Sequence, residues 1–390
     1  MTEPIELKAA AKAAGLNIPF ILYSFPDSQE LHFMASMPDP DMCVNEDPGS
    51  GDRAVITFFN NDSPYPVAVR AQLTPDNIME LHDGMKKLHD ADISPYETST
   101  PPPAYLAGIH EEINRLKRRR NAKTVLSRVI SGTSQRPLPE MIRELFMTFP
   151  HTFRFVFFTQ ETGLWAGASP ELLLSHSSAD NSIATMALAG TRPKTSGTNA
   201  EWDEKNIEEH NLVKDFIANA LLHAGATPET GTTTTEVYGE VEHLLTPITA
   251  TGSNDTASAV LDIINPTPAL AGTPRDAALN DIREIEHHDR QCYGGYIAIH
   301  GPTGIRAYVN LRCVMLEQIS GKKFTYNIFT GGGITALSEP AAEWMETELK
   351  SHKLRAILEY PSVPPIETLD DACRNYIAIS KVTKRSDNEE

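Results

Sequence analysis

The chain has 390 residues, a formal charge of −18, and 40% apolar against 22% charged residues. This balance excludes a phosphate-tracking scaffold, because nucleic-acid binding needs a cationic face and the chain has one short basic run, residues 117–120. Membrane-spanning helices are excluded as well: apolar stretches such as 153–158 fall far short of the roughly 20 residues that a bilayer requires.

In chain order, short apolar runs at 20–23, 54–59 and 67–73 alternate with Pro, Asp and Asn and read as strands and turns, so 1–103 is expected to be a variable, β-rich portion. Residues 95–103 read as a linker. The pattern then predicts a helix over 105–120, a strand over 123–128, a helix over 138–149 and strands at 152–159, 164–166, 171–175 and 183–189. Residues 201–224 form an amphipathic helix in which Leu212, Val213, Phe216, Ile217 and Ala220 recur at three- and four-residue spacing. Strands at 293–300, 305–316 and 324–330 close on a glycine turn, and a last helix covers 341–359. With no regular βαβ repeat, the fold class is α+β with antiparallel strands prominent.

Cys43, Cys292, Cys313 and Cys373 are scattered without a C-x-x-C pair, which is neither a zinc pattern nor a disulfide framework. Glu3, Glu6 and Lys8 interrupt any signal-like apolar run, so a cytoplasmic location is expected. The sequons at Asn61 and Asn254 are then chance matches.

Glu209 is the most informative residue, because it lies three, four and seven positions before Leu212, Val213 and Phe216 on the apolar helix face. An unpaired carboxylate there is costly. It is either a capped or ion-paired acid, or a ligand or catalytic acid. Glu346 falls on the stripe of Ala342, Met345 and Leu349, with Glu343 and Lys350 on an adjacent strip. Oxygen ligands from two helices suit Mg²⁺, which takes few protein carboxylates, but a salt-bridge network fits equally. His243, His287 and His288 lack zinc-site spacing. Gly331, Gly332 and Gly333 read as a tight turn or an anion-facing glycine turn.

Taken together and in order, residues 123–128 (Lys-Thr-Val-Leu-Ser-Arg), 167–173, 188–192, Glu209-His210, 266–272, Asp289-Arg290 with Gly294-Gly295, 311–313, 331–334 and 343–347 resemble the chorismate-utilising enzymes. The resemblance covers 104–358 as a catalytic core. It implies the chorismate-binding fold shared with anthranilate synthase component I: one domain over 1–390, large and mostly antiparallel sheets with helices packed outside, and a charged tail at 376–390.

The resemblance further implies a Mg²⁺-dependent displacement on chorismate, with a nucleophile adding at ring C2 as the C4 hydroxyl leaves. Lys123 takes the role of general base, Glu171 that of general acid with a raised pKa, and Glu209 and Glu346 hold the metal with Glu343 close by. Arg312 and the backbone of Gly331, Gly332 and Gly333 receive the enolpyruvyl carboxylate. Gly190, Thr191, His243, Ala269, Leu270 and Lys350 complete the substrate site. Within the family, a lysine at 123 favours water as nucleophile, and no amino-acid-binding Leu-Leu-Glu-Ser segment occurs in 1–100. Ala269 stands where pyruvate-eliminating members often carry threonine. The reading is therefore isochorismate formation, with salicylate formation and a catalytically silent chorismate-binding homologue as rivals. A monomer or homodimer without a glutaminase subunit is expected, and the product's destination, menaquinone, siderophore or salicylate, is open. One departure stands out: Asn206 occupies a position where the family often has an acid.

Overall fold

The computed structural model describes residues 3–37, 51–59, 66–82, 87, 91–119, 122–194, 201–320 and 323–360. Cys43, Cys373, the Asn61 sequon and the 376–390 tail lie outside these.

The chain opens with a helix, α1 (Ile5–Leu16), where the punctuation pattern predicts strands and turns. Its run of alanines, the best helix former, explains this. Leu7, Ala10 and Ala13 are buried on one face, and Asn17 stops the helix in the left-handed conformation with φ 54°. Four strands and a short helix follow: β1 (Phe20–Ser24), β2 (His32–Ala35), β3 (Arg53–Ile56), β4 (Val67–Arg70) and α2 (Pro75–Glu80).

The next segment runs α3 (Pro102–Leu116), β5 (Lys123–Ser134), α4 (Leu138–Thr148), β6 (Phe153–Thr159), β7 (Gly163–Ser169), β8 (Leu172–Ser177) and β9 (Ser182–Pro193). After α5 (Glu204–His223) come β10 (Glu229–Thr230), β11 (Thr234–Tyr238), β12 (Val241–Thr251), α6 (Asn254–Ile264), β13 (Gly272–Thr273) and α7 (Arg275–Ile285). The chain then forms β14 (Tyr296–Gly301), β15 (Gly304–Val309), β16 (Cys313–Ser320), β17 (Lys323–Ile334) and α8 (Pro340–Glu359). The predicted linker is no free tether, because the Thr100 N–H donates to Val129 O of β5 at 2.8 Å.

The strands make two antiparallel sheets. One has the order β13-β5-β17-β16-β7-β6-β1-β2; the other runs β10-β12-β9-β8-β15-β14-β3-β4, with β11 also on β12. The N-terminal strands thus extend both sheets. The sheets pack face to face through aromatic and branched residues: Phe153, Phe155, Phe157, Trp165 and Phe329 from one meet Ile56, Ile297, Ile299 and Tyr308 from the other. Phe153 and Tyr308 stack across this layer at 4.4 Å. Helices cover the outside, with α1, α4 and α8 over the first sheet and α3, α5, α6 and α7 over a separate apolar cluster that includes residues of β9. This is the expected α+β architecture.

Two predicted elements change form. The stretch 305–316 is two strands in different sheets, because the chain turns at Leu311-Arg312, where Arg312 has φ 46°. Hydrogen bonds between Asn310 and the Gly294-Gly295 backbone hold this crossing. The glycine run is no turn: Gly331, Gly332 and Gly333 continue β17, in register with Ser127, Leu126 and Val125 of β5.

Candidate active site

Lys123 opens β5 and is 1% exposed, with Nζ 2.8 Å from Oε1 of Glu209 on α5. The other Glu209 oxygen lies 3.1 Å from Lys205, whose ammonium is also 3.2 Å from Oε1 of Glu343 on α8. One helical turn on, Lys350 bonds Glu346 at 2.6 Å and the Gly331 carbonyl at 3.0 Å. Acids from α5 and α8 therefore converge over the end of β17, and the glycines there explain how. A Cβ on Gly333 would stand 2.2 Å from the Glu209 carboxylate, and one on Gly332 3.2 Å from Glu343 Oε2 and 3.4 Å from Glu346 Oε1.

The charges of these groups follow from their surroundings. Burial works to raise the Glu209 carboxyl, but the Lys123 and Lys205 ammonium groups outweigh it and hold it far below the usual range. Burial raises Glu343, opposed by Lys205 and assisted by Glu346, and its Oε2 has no hydrogen-bond partner among the described residues. Glu171, just before β8, is 2% exposed and makes no ion pair among the described residues; burial pushes it up to about 8 although Lys123 and Lys350 pull it down. Its Oε1 is also without a partner.

On the opposite wall, the sheet crossing presents Arg312. Its guanidinium donates to Tyr238 O at 2.7 Å and to His243 Nε2 at 3.1 Å, and no carboxylate among the described residues pairs with it. Burial lowers Arg312 to about 10. Because arginine only donates, His243 Nε2 must accept, which puts the imidazole proton on Nδ1, 3.1 Å from the Thr191 hydroxyl. Burial and then Arg312 and Lys350 keep this histidine neutral.

The cleft between these walls is narrow, with an interior volume of about 80 Å³. It brings together Lys123, Glu171, Thr191, Glu209, His243, Ala269, Leu270, Arg312, Gly331, Gly332, Gly333 and Lys350. Gly190 stands behind Thr191, with φ 77° and its Cα side against Asn206 O, while Glu343 and Glu346 line an adjoining cavity. Asn206 is committed elsewhere: Oδ1 accepts from Thr191 N at 2.8 Å and Nδ2 donates to Asp203, so it positions the Thr191 wall. Sequence reasoning missed Tyr293, which lines the cleft between two of the quoted motifs, and Lys205, one turn before Glu209.

The residues fit a hard dication. Three carboxylates converge, one buried oxygen is unsatisfied, and the glycines leave room. Among the described residues no group of three or more acidic, His or Cys side chains is already arranged as a metal cage, because ammonium groups stand between the acids.

Buried acids, paired lysines and an arginine without a carboxylate partner among the described residues thus face one cleft. A family model described as chorismate binding enzyme matches residues 54–359, and the chain belongs to that family. It is 30% identical to the isochorismate synthase EntC of Escherichia coli over 244 residues, 58% of this chain and 60% of that protein. Isochorismate synthase DhbC of Bacillus subtilis is 29% identical over 269 residues, 64% of this chain and 66% of its own length. The matches thus span about three fifths to two thirds of these relatives. The fold is that of MenF, the menaquinone-specific isochorismate synthase from E. coli, with TM-score 0.71 at 20% identity over 90% of this chain and 91% of that one. Anthranilate synthase component I from Streptococcus pneumoniae shares it with TM-score 0.58 at 16% identity, covering 86% and 92%. No described helix is long and apolar enough to cross a membrane.

Proposed function

We propose that the chain interconverts chorismate and isochorismate, water adding at ring C2 as the C4 hydroxyl departs, with Mg²⁺ as cofactor. The observation that carries this reading is the presence in one cleft of a buried lysine and a buried glutamic acid kept protonated near neutral pH.

The two groups have complementary tasks. Lys123, acting as the free amine once its ammonium proton has passed to solvent, takes a proton from the attacking water, and Glu171 gives its proton to the leaving hydroxyl, which departs as water; the ring gains one hydroxyl and loses one, so the net change is an isomerisation. Reversal requires only that the two residues exchange roles. Lys123 faces Glu209 in the arrangement described, and engaging that carboxylate elsewhere frees its nitrogen for the cleft. Arg312 donates one N–H to Tyr238 O and one to His243 Nε2, which leaves its other in-plane N–H groups for a substrate carboxylate, and the His243–Thr191 chain holds it in place. Held by Glu209 and Glu346, with Glu343 beside them, Mg²⁺ would supply positive charge to the ring carboxylate. A methyl at Ala269 gives no hydroxyl near the ring, which favours stopping at isochorismate.

The test is incubation of the purified protein with chorismate, with Mg²⁺ or with EDTA, resolving products by chromatography and assaying pyruvate separately. Isochorismate without pyruvate, lost in EDTA, supports the reading. Salicylate with equal pyruvate moves the protein to the eliminating branch, and chorismate binding without turnover makes it a silent homologue.

A further inference from the structure

Each acid of the cluster has a lysine partner, so the three carboxylates are balanced before any metal arrives. A dication entering between α5 and α8 must displace at least one ammonium. Of the three lysines, Lys205 alone among the described residues bridges carboxylates of both helices. Lys123 is a buried strand residue, 1% exposed, and Lys350 has a second acceptor in the Gly331 carbonyl.

Lys205 is different in several ways. It sits in the first turn of α5, where the positive end of the helix dipole disfavours a cation. Its pairing with Glu209 at i,i+4 has the lysine N-terminal, the weaker orientation. Local helix energetics therefore do not account for a lysine here. What holds it is the pair of carboxylates, Glu209 and Glu343, one from each helix, between which its ammonium lies. Beside it opens a cavity of about 480 Å³, lined also by Asp203 and Glu339, with space and alternative acceptors for a withdrawn side chain. The unsatisfied Oε2 of Glu343 adds an independent sign that this arrangement is incomplete without a further cation.

We propose that Lys205 is an internal competitor for the divalent cation: its ammonium bridges Glu209 and Glu343 in the metal-free protein and retreats into the adjoining cavity when metal binds, so that this exchange sets metal affinity. The inference rests on the metal reading given above. It explains how an acidic cluster stays packed without its ion, since three carboxylates in so small a volume repel one another strongly.

Isothermal titration of Mg²⁺ into the full chain without chorismate tests it. Lys205→Met should bind Mg²⁺ about tenfold or more tightly than the parent, equivalent to about 1.4 kcal/mol, and have a lower metal-free melting temperature. Lys205→Gln, which keeps a polar tip without charge, should tighten binding likewise and serves if the Met variant does not fold. Lys353→Met removes the same charge from a lysine paired with Glu240 instead, and should leave affinity within about twofold. Equal or weaker binding in both Lys205 variants, or an equal gain in Lys353→Met, overturns the proposal while leaving the metal reading standing. Absence of Mg²⁺ binding in parent and variants alike overturns both.

Discussion

Two buried charge clusters flank β5, and they differ in one respect. Behind the strand, Arg290 is 2% exposed, yet every side of it is satisfied: it bonds both oxygens of Glu286, at 2.9 and 2.5 Å, as well as Leu270 O and Val125 O. Glu286 in turn accepts from Ser127 N at 2.6 Å. In front of the strand, among the described residues, Glu171 and Glu343 each leave a buried oxygen without a partner, and no acid pairs with Arg312. Arg290, like Glu171, Arg312 and Glu343, falls in a stretch that resembles the family, so sequence resemblance alone does not separate the two clusters. Hydrogen-bond satisfaction does. The complete cluster clamps the strand that bears Lys123 and the segment that bears Leu270, whereas the incomplete one lines the cleft and the cavity beside it.

The comparison predicts opposite consequences of neutralising each side. Arg290→Met leaves Glu286 buried and uncompensated, and should destabilise the fold by about 3–5 kcal/mol, read as a lower urea midpoint; a near-neutral change would remove the scaffold role. Glu171→Gln should cut turnover by about 10²- to 10⁴-fold without loss of stability. The sign follows from its raised pKa. The buried carboxyl is neutral when folded at pH 5, and above its unfolded value it takes an increasing penalty until it ionises near pH 8, so stability falls across that interval. The amide escapes this, and the variant's melting temperature should exceed the parent's at pH 9 and approach it at low pH. The parent's turnover should fall as pH rises through about 8, since the general acid is then lost; a flat profile to pH 10 would remove Glu171 from that role.

A smaller effect is expected where shape rather than charge is altered. Gly333→Ala places a methyl against the Glu209 carboxylate that Lys123 holds, and either the acid or β17 must shift. Turnover should drop by about tenfold or more, as sub-ångström misplacement of catalytic groups commonly costs, while the circular-dichroism spectrum stays unchanged. Unchanged turnover would mean that the glycine is not needed to seat Glu209.

These contrasts show which parts of the site were legible in the sequence. Glu209 was readable from periodicity alone, because a carboxylate on an apolar helix face must be compensated or used. Lys123, Glu171 and Arg312 were readable only through resemblance: an isolated lysine on a strand has no local signature, and Arg312 lay inside what reads as one continuous strand. The crossing that presents it depends on hydrogen bonds between Asn310 and the Gly294-Gly295 backbone, which is long-range information. The glycine run was misleading for the same reason. Three glycines signal a turn locally, but here they are a strand whose missing side chains make room for acids brought by two helices distant in sequence. Among the helices, α2, α6 and α7 passed unread, and so did α1, where alanine propensity outweighed the turn-rich context that follows.

The smallest predicted effect concerns product and not rate. Ala269 lies on the cleft wall with its N–H bonded to the Thr267 hydroxyl at 3.2 Å, and the neighbouring Leu270 carbonyl is fixed by Arg290. The backbone of this wall is therefore held by the satisfied cluster, and a side-chain change at 269 acts on the cleft without moving its frame. Ala269→Thr adds one hydroxyl on that wall, a volume change a cleft-facing position absorbs with little loss of stability. Chorismate consumption should remain within about threefold of the parent, by analogy with the modest cost of small pocket changes, while pyruvate and salicylate become detectable beside isochorismate. If the variant releases no pyruvate at any enzyme concentration, the alanine is not what stops the reaction, and the discrimination lies with residues nearer the base at Lys123.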